Sequence, residues 1–332
     1  MTSKTRHILQ RHNGFTLVEI MVGLAIGMLA TLIILQVISV FEAQKRATTG
    51  TADAQTNGSI ALFNITRELN LAGYPLMPIA DSPLECTTVT FGTTGITSIT
   101  PVTLTDGASG VSDTITLRYG NSAMGGIPAT IEAMGAPNPN DATVGNNLGC
   151  ATGDIALISN GTTCALTVVT GTSPASTVPA TITLTETTNA TSGANLACLG
   201  VWNEIDFAVN GGNLVREGVP VVAGIVSIQA QYGLSDSANS NQVTQWVEPS
   251  VINTSSIADR NRVKAIRIAI VARNSKMEVG NVTTAINAWT GSVSSPAPTL
   301  DLSADPDWQR YRYRVFETIV PLRNVIWARD TL

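Results

Sequence analysis

From Ile20 to Phe41 the chain runs 22 residues without a charge. At about 1.5 Å per residue a helix of that length spans about 33 Å, enough to cross a bilayer. The pattern predicts a transmembrane segment at about 18–41. Residues 1–14 are polar and basic, with Lys4, Arg6 and Arg11. That flank is expected to stay cytoplasmic while the rest is exported. Past the apolar run, Ala47, Thr51, Ala54, Gly58, Ala61, Ile65, Leu69 and Ala72 recur at spacings of three and four. The spacing predicts that the helix continues to about Ala72 and packs one small-and-apolar face on a sheet. Gly73 and Pro75 supply the stop. A coiled coil with a partner is the weaker reading, because Gly50 and Gly58 lower helix propensity and the repeat is short.

Beyond the helix the period shortens to that of strands. "CTTVTFG", "DTITLRYG", "DIALIS", "CALTVVTG" and "TITLTET" alternate or run with β-branched residues between turn-rich loops. "GAPNPND", near 135–141, is expected to be a loop and a joint between subdomains. Only 7 of the 115 residues from Cys86 to Gly200 are charged. Such a surface fits either an adhesive, variable region or an ordinary exported β-domain with long loops. In residues 201–332, "NEIDFAVNGGNLVREG" reads as strand, turn and strand. "AGIVSIQAQYG", "VKAIRIAIVARN" and "RYRVFETIVPLRN" read as further strands. The predicted class is α+β. A long N-terminal helix, transmembrane in one half and amphipathic in the other, packs on an antiparallel β-rich globular head.

Composition narrows the chemistry. The chain has 332 residues, a net charge of −5 and 13% charged residues. The acidic balance argues against nucleic acid as an obligatory partner. Four cysteines, Cys86, Cys150, Cys164 and Cys198, form no CxxC pair and have no nearby histidine, which argues against zinc. In an exported chain they favour two disulfides, with three pairings open. A hairpin of 154–159 with 164–171 around "NGTT" would hold Cys150 and Cys164 apart, which disfavours that pair. Both histidines, His7 and His12, lie in the first 14 residues, so a chain processed there has no histidine for a triad or a metal. GxSxG, Walker and GxGxxG motifs are absent, and "GNSAMGG" reads as a loop. No enzymatic activity and no cofactor are expected. "DLSADPDW" places Asp301, Asp305 and Asp307 close together, a candidate calcium set weighed against ordinary turn chemistry. Arg310, Arg312 and Arg314 alternate and would share one face of a strand, with Tyr311 and Tyr313 opposite. Arg260, Arg262, Lys264 and Arg267 make a second basic group. A solvated face or an ion-paired subunit interface is the favoured reading of both, over contact with a phosphate backbone.

The stretch "GFTLVEIMVGLAIG" resembles the type III signal of type IV pilins and type II secretion pseudopilins. The resemblance implies cleavage by a prepilin peptidase between Gly14 and Phe15 and N-methylation of Phe15. It also gives Glu19 the role of the family's assembly glutamate. A charge carried into a membrane costs on the order of 2–4 kcal/mol, less near an interface. Cleavage creates its partner, the cationic α-amine of Phe15, and the helix dipole favours an anion at this end. Major pilins usually carry a proline that kinks the apolar half. Here Gln36 stands in that region, and no proline occurs between Phe15 and Ala72. "VREGV", "VKAIRIAIVAR" and "YRYRVFETIVPLRN" resemble the C-terminal half of PilW-type minor pilins.

The resemblance implies a leader at 1–14, a pilin helix at 15–75, a Thr/Gly-rich β region at 76–200 and a PilW-like region at 201–332. It implies a minor pilin that primes type IV pilus assembly in a tip complex and supports adhesion and twitching motility. The expected partners are other minor and major pilins, the prepilin peptidase, the inner membrane and the pilus assembly platform. The protein would be a single-pass inner-membrane protein with a periplasmic head before assembly, and part of the surface pilus after it. The alternatives are a minor pseudopilin of type II secretion and a membrane-anchored adhesin or ligand-binding protein.

Overall fold

The computed structural model describes residues 14–76, 86–147, 149–161, 163–254, 256–293, 295–298 and 300–326. The basic flank, with Lys4, Arg6, His7, Arg11 and His12, lies outside them. The chain divides into two compact units, Met1–Gly50 and Thr51–Leu332. One helix, α1 (Leu17–Leu69), contributes to both. No proline interrupts it, in keeping with Gln36 at the place of the family's kink. In the first unit every residue from Gly14 to Phe41 is exposed, including Ile20, Leu24, Ile33 and Phe41. This is the one helix among the described residues that is long and apolar enough to cross a membrane.

In the second unit α1 buries the face that its spacing predicts. Ala54, Ala61, Ile65 and Leu69 are at most 1% exposed, while Ile60 and Phe63 on other faces are open. The small residues let the helix approach the sheet closely. A Cβ built on Gly58 would overlap the Cδ2–Cε2 edge of the Phe316 ring. The helix ends at Leu69, three residues short of the expectation. Gly73, at φ 81°, turns its N–H to the Arg118 carbonyl at 2.9 Å instead of back along the helix. Asn324 then caps the end, its Nδ2 donating to the carbonyls of Asn70, Leu71 and Ala72 at 3.2, 3.3 and 3.1 Å.

Sixteen strands follow among the described residues. They are β1 (Thr88–Thr90), β2 (Val102–Thr105), β3 (Thr114–Tyr119), β4 (Ala129–Met134), β5 (Asp141–Val144), β6 (Ile155–Ser159), β7 (Thr163–Thr172), β8 (Ala180–Leu184), β9 (Asn195–Gly200), β10 (Asn203–Asn210), β11 (Asn213–Arg216), β12 (Val219–Ala223), β13 (Ile225–Ser235), β14 (Val243–Val247), β15 (Val263–Arg273) and β16 (Tyr313–Pro321). Five form a sheet in the order β12-β11-β10-β3-β2, and four form another in the order β14-β13-β15-β16. Both are antiparallel and share one core with α1, which includes Ile115, Phe207, Tyr232 and Ile268. The sheets are stitched by Asp113, whose carboxylate accepts the N–H of Gly107 at 2.9 Å and of Ala230 at 2.7 Å.

The remaining strands close on themselves. In the order β7-β6-β9-β4-β5-β8, β8 pairs back onto β7, which makes a six-stranded antiparallel barrel. Register shifts between Ile131 and Ala133, Ile155 and Ala156, and Val169 and Gly171 bend the strands enough to close it. Its interior is a separate core of small and branched side chains, including Ile131, Val144, Ile158, Val169, Ile182 and Leu196. Leu76 and the strap 86–99 cover the outer faces of β6, β7 and β9. Strand β1 of that strap pairs in parallel with β7.

Candidate functional site at the start of the helix

Thr16 and Glu19 lock the first turn of α1. The Thr16 carbonyl accepts the N–H of Ile20 at 3.2 Å, so Thr16 is the N-cap. Its hydroxyl oxygen accepts the Glu19 N–H at 3.3 Å. In return Glu19 Oε2 accepts the Thr16 N–H at 2.9 Å and the Thr16 hydroxyl at 2.8 Å. This reciprocal pair is a capping box. The T-x-x-E pattern that encodes it stands in the sequence, but reading Glu19 only as a partner for an amine passes over it. Glu19 Oε1 has no hydrogen-bond partner among the described residues. One carboxylate oxygen is held and the other faces open space. Gly14 has nothing within 4 Å of a Cβ built on it, and Phe15 is 85% exposed. Among the described residues nothing covers the bond between them.

The cysteines form Cys86–Cys164 and Cys150–Cys198, with Cα–Cα distances of 5.8 and 5.4 Å. The β6–β7 hairpin sets Cys164 opposite Ser159, as its sequence predicts, and Cys150 joins Cys198 on β9.

The calcium candidate does not assemble. Asp305 Oδ2 is bound by Arg273 Nη1 at 2.6 Å and Asp307 Oδ1 by Arg310 Nη1 at 3.1 Å. Asp301 is fully exposed, and its hydrogen bonds with Ser303 hold its carboxyl below the usual range. Among the described residues no three His, Cys, Asp or Glu side chains gather where a metal could sit. Arg273, from the end of β15, and the neighbouring Arg310 have taken two of the three carboxylates.

The arginine stripe is also corrected. Arg310 lies in a 3-10 turn, Trp308–Arg310, ahead of β16, and Arg312 also precedes the strand. Arg310 and Arg312 both bond Glu278, through its carbonyl at 3.0 Å and its carboxylate at 2.9 Å. Tyr311 stacks under the Arg273 guanidinium at 4.3 Å, and Tyr313 donates its hydroxyl to the Trp308 carbonyl. Of the second basic group, Arg260 and Lys264 are buried, and Lys264 Nζ donates to the Ala238 carbonyl at 2.9 Å. Arg262 Nε donates to the Ser235 carbonyl, and Arg267 bonds Glu317 at 2.6 Å and stacks over Trp289 at 4.4 Å. These side chains hold loops and strands together and make no continuous basic face.

Comparison with known proteins gives two matches. Residues 9–35 match the family described as prokaryotic N-terminal methylation motif, and residues 189–324 match the family described as Type IV Pilus-assembly protein W. No curated protein and no solved structure matches the chain. The methylation motif and the apolar helix fit a membrane-anchored pilin, and the matched families are structural and non-enzymatic. A methylation motif on the helix together with a match to the Type IV Pilus-assembly protein W family over residues 189–324 is consistent with a pilin related to the type IV pilus.

Proposed function

We propose that the chain is a minor pilin, cleaved between Gly14 and Phe15 and methylated on Phe15, that helps prime type IV pilus assembly in a tip complex. Glu19 is the assembly residue. The observation that carries this reading is its half-engaged carboxylate. Thr16 holds Oε2 in the capping box while Oε1 stays open at the start of an exposed apolar helix. An ammonium from a neighbouring subunit would bind Oε1 without breaking the cap. It would also neutralise a charge that costs on the order of 2–4 kcal/mol in a bilayer. The cap fixes the carboxylate's position in advance, so little side-chain entropy is lost when the amine arrives. The head, joined to other minor and major pilins, then supports adhesion and twitching motility.

Substituting Glu19→Ala and Glu19→Asp in the full chain, and assaying sheared filaments for the protein, tests the assignment. Ala is expected to abolish incorporation while the protein stays in the membrane. Asp, whose shorter side chain reaches less well, is expected to retain part of it. Incorporation of the Ala variant at the parent level would refute the role.

A further inference from the structure

Five strands stand at sheet edges among the described residues: β1, β2, β12, β14 and β16. Four of them are blunted. Strand β1 has three residues and β2 four. Strand β12 has five, one of them Pro220, and meets β11 across a register shift at Leu214 and Val215. Strand β14 also has five and meets β13 across a shift at Leu234 and Ser235. Short strands, proline and bulges all discourage pairing with another chain. Strand β16 differs. It runs nine residues, its one proline is the last of them, and it pairs with β15 without a shift from Tyr313–Arg273 to Pro321–Ala265.

The register decides which backbone groups of β16 are engaged. Leu322 donates its N–H to the Lys264 carbonyl and Asn274 donates its own to the Arg312 carbonyl, each at 2.9 Å. Even-numbered residues between them therefore bond β15, and odd-numbered residues turn their N–H and C=O to the open side. The loop at Val282 and Thr283 covers that side as far as Tyr311. Thr283 donates its N–H to the Gln309 carbonyl at 3.0 Å and its hydroxyl to the Tyr311 carbonyl at 2.6 Å. Beyond it, the outward N–H and C=O groups of Val315, Glu317 and Ile319 have no partner among the described residues. Two side chains along this edge are also unmatched. Arg314 is exposed and without a partner among the described residues, and Ile319 is 51% exposed.

A bare edge of this length is a template for one more strand. We propose that the edge of β16 takes an extended strand from a different subunit, hydrogen-bonded along 315–319, with a carboxylate beside Arg314 and an apolar side chain against Ile319. A second copy of this chain does not supply that chemistry. Opposite residues of paired strands share a face, so β16 of a second copy would set only even-numbered residues, from Arg312 to Leu322, beside Arg314. None of these is acidic. The one acid of β16, Glu317, lies on the other face and is bonded by Arg267. The other four edge strands hold no acid. That the occupant is another pilin of the filament rests on the pilin reading; that the edge accepts an acidic strand does not.

Two experiments on the full chain test this. In the first, amide hydrogen exchange is resolved residue by residue in detergent. The probe is a synthetic peptide of alternating threonine and valine, about ten residues long, with aspartate in place of one central threonine. In the free chain Val315, Glu317 and Ile319 are expected to exchange at least about a hundredfold faster than Phe316 and Thr318. The peptide at millimolar concentration is expected to slow those three at least about threefold, and a copy with lysine for the aspartate is expected to slow them less. Arg314→Glu is expected to reverse the preference between the two peptides. Equal protection of odd and even amides in the free chain, or no protection by the aspartate peptide, would overturn the open edge. Equal protection by both peptides would overturn the role of Arg314. In the second, cells carry Arg314→Glu, Arg314→Lys or Ile319→Lys, and sheared filaments are assayed for the chain. Arg314→Glu and Ile319→Lys are expected to enter at least about fivefold less than the parent at an unchanged urea midpoint, and Arg314→Lys within about twofold. Entry of Arg314→Glu at the parent level would overturn a filament subunit as the occupant. A disulfide-linked dimer of an Ile319→Cys variant in filaments would overturn the choice of a different subunit over a second copy. Absence of the parent chain itself from filaments would count against the pilin reading and leave the exchange result to decide the edge.

Discussion

At Gly58 α1 packs against Phe316 of β16, and substitution there has a sign that depends on this one neighbour. In an exposed helix, Gly→Ala stabilises by about 1 kcal/mol through backbone entropy. Here the new Cβ would overlap the Cδ2–Cε2 edge of the Phe316 ring. Overpacking of that kind costs about 1–3 kcal/mol. The two effects leave Gly58→Ala destabilising by about 1 kcal/mol in the parent, with an upper bound of about 2. Phe316→Ala removes the ring, so the propensity gain alone remains. In that background Gly58→Ala should stabilise by up to about 1 kcal/mol. Urea unfolding of the Thr51–Leu332 unit, followed by circular dichroism at constant m, reads both effects as shifts of the midpoint. If Gly58→Ala stabilises equally in both backgrounds, the close approach of helix and sheet at this point is wrong.

Asn324→Ala removes the three-carbonyl cap at the end of α1 and should cost about 1–2 kcal/mol, visible as a lower urea midpoint and faster exchange near Asn70. Burial pushes the Asp113 carboxyl up to about 7, against the N–H groups of Gly107 and Ala230 that favour its ionised form. The folded state therefore holds a proton that the unfolded state has released. Stability should fall as pH rises between the unfolded and folded pKa values and level off above about 7, a loss of up to about 4 kcal/mol that Asp113→Asn should flatten. The double change Cys150→Ser with Cys198→Ser opens a loop of 48 residues and should cost at most about 4 kcal/mol, measured on the barrel by the same unfolding assay.

Local patterns carried far into this fold. The spacing from Ala54 to Leu69 marked the buried face of α1, because helical period and burial are set by neighbours three and four apart. "NGG" placed the β10–β11 turn, and the long β-branched runs marked β13, β15 and β16. The barrel was not legible as a barrel. Strands β4, β5 and β9 are short and weakly apolar, and closure of β8 onto β7 depends on bulges that leave no sequence period. The β3–β10 pair joins residues on either side of the whole barrel, beyond any window of local pattern. At the aspartates and arginines, sequence spacing showed proximity but not partners. Arg273 reaches Asp305 from the end of β15, and Glu278 reaches Arg312 from the loop after it. The assignment of Gly14, Phe15 and Glu19 came from the resemblance of the motif, while the Thr16 cap that positions Glu19 needed only the T-x-x-E spacing.

Intact mass and N-terminal sequencing of the protein from a sheared surface-filament fraction bear most directly on its being a processed pilin. The expected chain begins at N-methylated Phe15, lacks residues 1–14 and is found in the filaments. A chain that still begins at Met1 and is confined to membranes of peptidase-competent cells would contradict that account and favour a signal-anchored binding protein.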